Sequence, residues 1–249
     1  MSRDSDLSLD ALALRRRRLL QGAAALPVMG LSGLSFGQGQ FPTAKVNTTK
    51  LAVTDTEVTV GQLHSSTGTM AISETGSIQA EQLAIDQINA MGGILGRKIK
   101  VIKEDGASDW PTFAEKSKKL LVNDKVAAVF GCWTSASRKA VLPVVERHGA
   151  VLFYPSVYEG FEYSPNVIHT GPTPAQTIVP LIKYLFAHHG RRFFLVGSEY
   201  VFAREISRIA KEFLLESAGS VAGETYLPMG APDSAFAEVA ERIAAARPD

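Results

Sequence analysis

Short apolar segments alternate with amphipathic segments along most of this chain, and this alternation limits the possible folds more than any other feature. Each of the first three predicted strands is followed by a helical pattern. The strands of this part are predicted at residues 57–63, 98–103, 126–130 and 150–154. Apolar strands that alternate with helices are typical of a parallel sheet with helices on both faces.

The alternation resumes after an irregular stretch at residues 155–170. The pattern then predicts three helices and two strands, at residues 174–189, 193–197, 203–217, 221–227 and 234–246. Because the strand–helix order begins again near Arg191, we predict a second α/β lobe from that point. The pattern therefore predicts an α/β protein with two parallel sheets.

The first forty residues have the pattern of an export signal and are not expected to join the fold. Arg15–Arg18 precede an apolar stretch at residues 19–34, and Ser35–Gly37 supply small residues for a cleavage site. Consecutive arginines followed by Leu19 and Leu20 are similar to a twin-arginine signal, which predicts a mature chain that starts near Gln38. The alternative is a membrane anchor or a disordered tail. The stretch is short for a spanning helix and contains glycines and a proline, which disfavours an anchor.

Composition and missing motifs exclude several classes of function. The chain has 45% hydrophobic and 20% charged residues and a net charge of +1, and without residues 1–40 it has 21 basic and 22 acidic residues. This balance excludes the basic surface that nucleic-acid binding needs. The single cysteine, Cys132, excludes an internal disulfide and an all-cysteine zinc site. No phosphate-binding, dinucleotide-binding or serine-hydrolase motif occurs, so neither an enzyme nor a cofactor is predicted.

The loops that follow the predicted strands are rich in hydroxyl and aromatic side chains. In parallel sheets, ligands bind at the carboxyl ends of the strands. Four such loops, at residues 64–68, 131–135, 154–158 and 197–200, contain one acid, Glu199, and no lysine or arginine. They suit a small, neutral, hydrogen-bonding ligand held against aromatic rings. The alternative for each loop is that its Ser or Thr caps the next helix.

Several of these segments carry a family resemblance. The sequences at residues 73–75, 104–116 and 131–144 resemble the urea-binding proteins of bacterial ABC urea transporters. Those at residues 154–155, 158–166 and 197–200 are similar also to relatives that bind short-chain aliphatic amides, among them an amide-sensing regulator of aliphatic amidase. The resemblance extends from Val58 to Asp249.

The resemblance implies the type I periplasmic binding protein fold. This fold has two doubly wound parallel-sheet lobes joined by a hinge, with the ligand in the cleft between them. We expect the first α/β lobe at residues 41–170, a helix leading to the hinge at 171–190, and the second lobe from residue 191 to 249. Because such relatives are longer, the second lobe is expected to be incomplete, with about two βα units.

The same resemblance implies roles for individual residues. Ser135 matches a serine that holds the amide, Tyr154 and Ser156 match an aromatic and a hydroxyl contact, and Tyr200 matches a tyrosine that closes over the ligand. Trp133 has the form found in the urea transporters, whereas the amide sensor has a tyrosine there. The predicted ligand-binding residues are Ser65, Trp133, Thr134, Ser135, Tyr154, Ser156, Glu199 and Tyr200.

Three functions follow from these expectations. The first is a periplasmic solute-binding protein that delivers urea or a short-chain amide to an ABC transporter permease. The second is an amide-responsive sensor that acts on a protein partner. The third is an amidase or urea hydrolase, which the missing nucleophile and metal motifs disfavour. We expect no cofactor, no nucleic-acid partner and no membrane insertion after signal removal.

Overall fold

The computed structural model describes residues 50–249, which form two parallel β-sheets with flanking helices. The predicted export signal at residues 1–40 lies outside this range. The first part of the chain contains β1 (Glu57–His64), α1 (Ala71–Ala90), β2 (Lys98–Asp105), α2 (Trp110–Val122), β3 (Val129–Gly131), α3 (Ser135–Arg147), β4 (Leu152–Tyr154) and β5 (Val167–His169). The rest contains α4 (Ile178–His188), β6 (Arg192–Ser198), α5 (Val201–Glu216), β7 (Ser220–Leu227) and α6 (Asp233–Ala246).

The first sheet has five strands in the order β2-β1-β3-β4-β5, and all neighbouring strands are parallel. A glycine is required where β3 lies against β1. Gly131 has a φ of 151°, and a Cβ at this position would lie 2.0 Å from the Leu63 carbonyl oxygen. The backbone that leads into the loop after β3 therefore tolerates no side chain at this point.

Side-chain caps fix where two helices of the first sheet begin. The Asp109 carboxylate accepts a hydrogen bond from the Thr112 amide at 3.0 Å, and Pro111 occupies the first turn of α2. The Thr134 hydroxyl accepts from the Ser137 amide at 3.0 Å at the start of α3. Both helices therefore start directly after strand-end loops, which places those loops at the edge of the sheet.

The core of the first sheet lies between its strands and the helices α2 and α3. Leu63, Val129 and Leu152 come from three adjacent strands and are fully buried. Phe113 and Leu120 of α2 pack in the same cluster. Burying side chains of this size contributes about 1.5–3 kcal/mol each, so this cluster holds the sheet and its strand-end loops in place.

The second sheet consists of the parallel pair β6 and β7. Its core is smaller, with Ile182 of α4 packed against Ala210 and Leu214 of α5. This part of the chain supplies two βα units, as the sequence pattern predicts.

Three details differ from the pattern-based prediction. Residues 155–170 are not wholly irregular, because they contain the edge strand β5. The strand predicted at 126–130 has ladder pairing only from Val129, although Val126 is also buried. The helix predicted at 174–189 is divided at Thr177 into a single 3-10 turn and α4. No helix within the described residues is long and apolar enough to span a bilayer.

Candidate functional site

The strand-end loops of the two sheets face each other. A Cβ on Gly230, which follows β7, would lie 3.3 Å from the Thr69 methyl group in the loop after β1. Helices α3 and α5, which begin directly after two of the predicted ligand-binding loops, also pack against each other. The structure therefore brings loops from both sheets to one region, as a ligand site at the carboxyl ends of the strands requires.

The loop after β1 is held by polar contacts to its neighbours. Ser65 is fully buried; its amide donates to the Glu74 carboxylate at 2.8 Å, and its hydroxyl accepts from the Ser108 amide at 3.0 Å. The Thr67 hydroxyl donates to Asp105 at 2.7 Å. Burial would raise the pKa of Asp105, but the hydroxyl of Thr67 and nearby amides lower it to about 2. Ser65 thus joins two loops of the site.

Thr134 and Ser135 have different surroundings although they are adjacent. Thr134 is buried, and its hydroxyl oxygen serves as the cap of α3. The Ser135 hydroxyl donates to Glu159 Oε2 at 2.6 Å and accepts from Arg138 Nη1 at 3.1 Å. The helix-cap interpretation therefore accounts for Thr134, whereas Ser135 belongs to a buried charged network.

This network connects α3 to the loop between β4 and β5. The Arg138 guanidinium is fully buried and binds Glu159 at 3.2 Å and Glu162 at 2.7 Å. Lys139 lies 2.7 Å from Glu162. Burial would raise the pKa of Glu159, but the Ser135 hydroxyl, a backbone amide and the cations outweigh it and lower that pKa. The carboxylate is therefore ionised at neutral pH.

Tyr154 and Ser156 lie beside this network. Tyr154 is fully buried, and its hydroxyl lies 2.7 Å from the Trp133 carbonyl and 2.9 Å from the Val157 carbonyl. Burial raises the pKa of Tyr154 to about 12, so the hydroxyl remains protonated. Ser156 is buried near that hydroxyl. The structure thus brings Trp133, Tyr154 and Ser156 together, with the Tyr154 hydroxyl sharing its proton between two backbone carbonyls.

The two residues predicted from the second sheet differ in their positions. Tyr200 lies just before α5 and is partly buried, and burial together with the nearby Glu159 charge raises its pKa. Glu199 lies at the surface beside an arginine. Its exposed carboxylate forms a two-point ion pair with Arg204, at 2.7 and 2.6 Å. Tyr200 therefore lies near the buried network, whereas the charge of Glu199 is balanced by Arg204 at the surface.

Sequence reasoning missed several polar groups near these loops. Glu159, Arg138 and Glu162 were not singled out as site residues, because the contacts among them join segments more than twenty positions apart. His169 stacks on Tyr158 with a centroid separation of 3.9 Å, and both its ring nitrogens are buried without a hydrogen bond. Burial and the Arg138 charge lower the pKa of His169. The imidazole is therefore neutral in this network.

Cys132 is buried, and the acids and histidines of residues 50–249 form no metal-binding cluster. Cys132 is fully buried, and burial raises the pKa of its thiol, so it is a poor nucleophile. Within residues 50–249, no cluster of three or more histidine, cysteine, aspartate or glutamate side chains is arranged to hold a metal ion.

Comparisons with known proteins place these features in a family. The sequence profile of the periplasmic binding protein domain matches residues 58–249. Leu/Ile/Val-binding protein homologs 7 and 8 of Brucella abortus (strain 2308) are 28% and 32% identical to this chain over 97 residues. Those residues make up 39% of this chain and 24% of each relative.

Solved structures with the same fold include two substrate-binding proteins of transporters. A solute-binding protein from Rhodopseudomonas palustris BisB5, in complex with 3,4-dihydroxy benzoic acid, matches with a TM-score of 0.68 and 24% identity, over 78% of this chain and 53% of that one. A branched-chain amino acid binding protein from Streptococcus pneumoniae, in complex with isoleucine, matches with a TM-score of 0.63 and 23% identity, over 70% and 51%. This chain spans about half the length of these structures.

Proposed function

Because this chain belongs to the periplasmic binding protein domain family, we propose that it is an exported solute-binding protein for urea or a short-chain aliphatic amide. In this proposal the ligand lies between the strand-end loops of the two sheets. The partner is the permease of an ABC transporter, and the compartment is the periplasm.

The matched charges at the strand ends support an uncharged ligand, and this is the observation on which the proposal depends. Arg138 is paired with two glutamates, and Arg204 is paired with Glu199. His64 at the end of β1 contacts two further glutamates at 3.1 and 3.0 Å. A ligand carboxylate would have to compete with these acids for each cation, and burying an unpaired charge is costly.

The proposed ligand differs in charge from the ligands named for two of the solved neighbours. The ligands named for two of them, isoleucine and a benzoic acid, both carry a carboxylate. A carboxylate near the buried Glu159 of this chain would be repelled by it. An amide or urea has the same planar shape without the charge, and Trp133 and Tyr200 offer aromatic surface for such a plane.

Binding rather than hydrolysis is proposed because the nearest thiol is unreactive. The Cys132 side chain is fully buried with a raised pKa.

A sensor function, the alternative from the sequence, would use the same ligand and differ in its protein partner. Fractionation of cells that produce the protein tests this difference, since an ABC transporter component of this kind is expected in the periplasm and the sensor in the cytoplasm.

A thermal-shift screen tests the ligand class directly. Urea, formamide and acetamide are expected to raise the melting temperature, whereas isoleucine and 4-hydroxybenzoate are not. Urea has four non-hydrogen atoms, so even the best ligand efficiency of about 1.5 kcal/mol per atom gives about −6 kcal/mol, or a Kd of tens of micromolar. Stabilisation by the two carboxylates alone would contradict the proposal.

A further inference from the structure

The Glu159 carboxylate has one oxygen that the surrounding residues leave without a hydrogen bond. Its side chain is 8% exposed. Oε2 accepts from the Ser135 hydroxyl at 2.6 Å and from Arg138 Nη2 at 3.2 Å. Oε1 is buried and accepts no hydrogen bond, and the Lys139 ammonium lies 3.4 Å away. Buried carboxylate oxygens are normally hydrogen-bonded, so a missing donor is indicated at Oε1.

The Ser135 hydroxyl next to it can only accept a further hydrogen bond. A serine hydroxyl has one proton and two lone pairs. Ser135 gives its proton to Glu159, and one lone pair receives a proton from Arg138 Nη1 at 3.1 Å. One lone pair remains, beside the Tyr154 hydroxyl. Ser135 and Glu159 Oε1 can therefore each accept a hydrogen bond from an N–H or O–H group of a ligand.

The start of α3 provides the opposite kind of group in the same place. The Ser137 amide is bound by the Thr134 hydroxyl, and the Arg138 amide donates to the Thr134 carbonyl at 3.1 Å. The amides of Ser135 and Ala136 come before these two in the first turn, where helical amides have no partner within the helix. Such amides attract a partly negative oxygen, for example a carbonyl.

We infer that Glu159 is a ligand-binding residue and that, with Ser135, it selects ligands that carry an –NH₂ group beside a carbonyl. The –NH₂ protons meet Glu159 Oε1 and the free lone pair of Ser135, and the carbonyl oxygen faces the first amides of α3. A primary carboxamide or urea satisfies both requirements. A carboxylate of the same shape has no proton for Ser135 and is repelled by Glu159. This inference rests on the proposed function and adds the residue that selects an amide over a carboxylate.

Calorimetric titration with acetamide and with acetate tests this inference, because the two ligands have the same shape and differ in the –NH₂ group. The wild-type protein is expected to bind acetamide at least tenfold more tightly than acetate. In Glu159→Gln, the side-chain amide turns a donor toward the ligand, so this preference is expected to fall at least tenfold. The matched control is Glu162→Gln. Glu162 also pairs with Arg138, but both of its carboxylate oxygens are already bound by Arg138 and Lys139. It is expected to keep the wild-type preference.

A second variant covers the case in which Glu159→Gln does not fold. Glu159→Asp retains the charge beside Arg138 but withdraws the oxygens by one methylene. It is expected to bind acetamide at least fivefold more weakly while still rejecting acetate. An unchanged acetamide affinity in Glu159→Asp would overturn the inference.

The outcomes distinguish this inference from the proposed function. Wild-type preference for acetamide that persists in Glu159→Gln would overturn the role of Glu159 and leave the proposed function standing. Absence of wild-type binding to both acetamide and urea would overturn the proposed function and the inference with it. Equal wild-type affinity for acetate and acetamide would also overturn the inference.

Discussion

At the scale of single residues, the protein stabilises two buried cations, His64 and Arg138, with two acids each. His64 is 1% exposed and lies between Glu74 and Glu81, one on each ring nitrogen. Burial lowers the pKa of His64, but the hydrogen bonds and charges of the two glutamates outweigh it and raise the pKa to about 9. The imidazole is therefore protonated at neutral pH, and it connects the end of β1 to α1.

The raised pKa of His64 predicts how stability depends on pH. A group whose pKa is higher in the folded state stabilises fully below its unfolded pKa, here 6.5, and this contribution is lost as pH rises through about 9. The loss is expected to be on the order of 3 kcal/mol. Guanidinium unfolding at pH 6, 7.5 and 9 measures it. In His64→Gln the decrease in stability between pH 6 and 9 should largely disappear, and an equal decrease in both proteins would refute the assignment.

Replacing Ser135 is expected to weaken ligand binding by removing a single hydrogen bond. In Ser135→Ala the ligand loses one hydrogen-bond partner in a buried site, which costs about 1–3 kcal/mol or roughly five- to hundredfold in affinity for urea. The control is Ser137→Ala, because the Ser137 hydroxyl donates to the Thr134 carbonyl at 2.8 Å within the helix start. Calorimetry should show weaker binding only in Ser135→Ala. Equal affinities in the two variants would place the ligand elsewhere.

At the scale of elements, α3 is positioned by its cap. Thr134 is 4% exposed, and its hydroxyl accepts from the Ser137 amide. Thr134→Ala is expected to lower the free energy of unfolding by about 1–2 kcal/mol, and Thr134→Ser, which keeps the oxygen, by much less. Denaturant titration of the two variants measures this difference. If both variants lose the same stability, the methyl group rather than the cap is what Thr134 contributes.

The elements themselves were largely predictable, because hydrophobic periodicity is a local property. The helices α5 and α6 and the strands β1, β2, β6 and β7 lie within a few residues of their predicted positions. β5 was missed because its three residues, Val167–His169, are too short for an alternating pattern. It exists because it pairs with β4, which is a tertiary contact.

The charged network of the candidate site could not be predicted for the same reason. Ser135 was singled out from its loop, but its partner Glu159 lies 24 positions further along the chain. Nothing in the local sequence shows which of several acids reaches it. Glu199 was likewise singled out from its loop, and its partner Arg204 lies one helical turn into α5.

At the scale of the whole molecule, two sheets of different size present their strand ends to each other. The family and the fold follow from the match over residues 58–249 and from the solved neighbours. In this chain, Arg138 and Arg204 near the facing loops are already paired with acids. The proposed function therefore requires an uncharged ligand.

Calorimetric titration of urea and acetamide across a salt series tests that claim most directly. Binding that involves no ion pair is expected to change less than about twofold between ~0.02 and ~0.2 M salt, since screening acts on charges. The same titrations with isoleucine and 4-hydroxybenzoate provide the charged comparison. Urea or acetamide is expected to bind independently of salt, and isoleucine and 4-hydroxybenzoate are not expected to bind. A steep loss of affinity with salt, or binding of isoleucine and 4-hydroxybenzoate alone, would contradict an uncharged ligand.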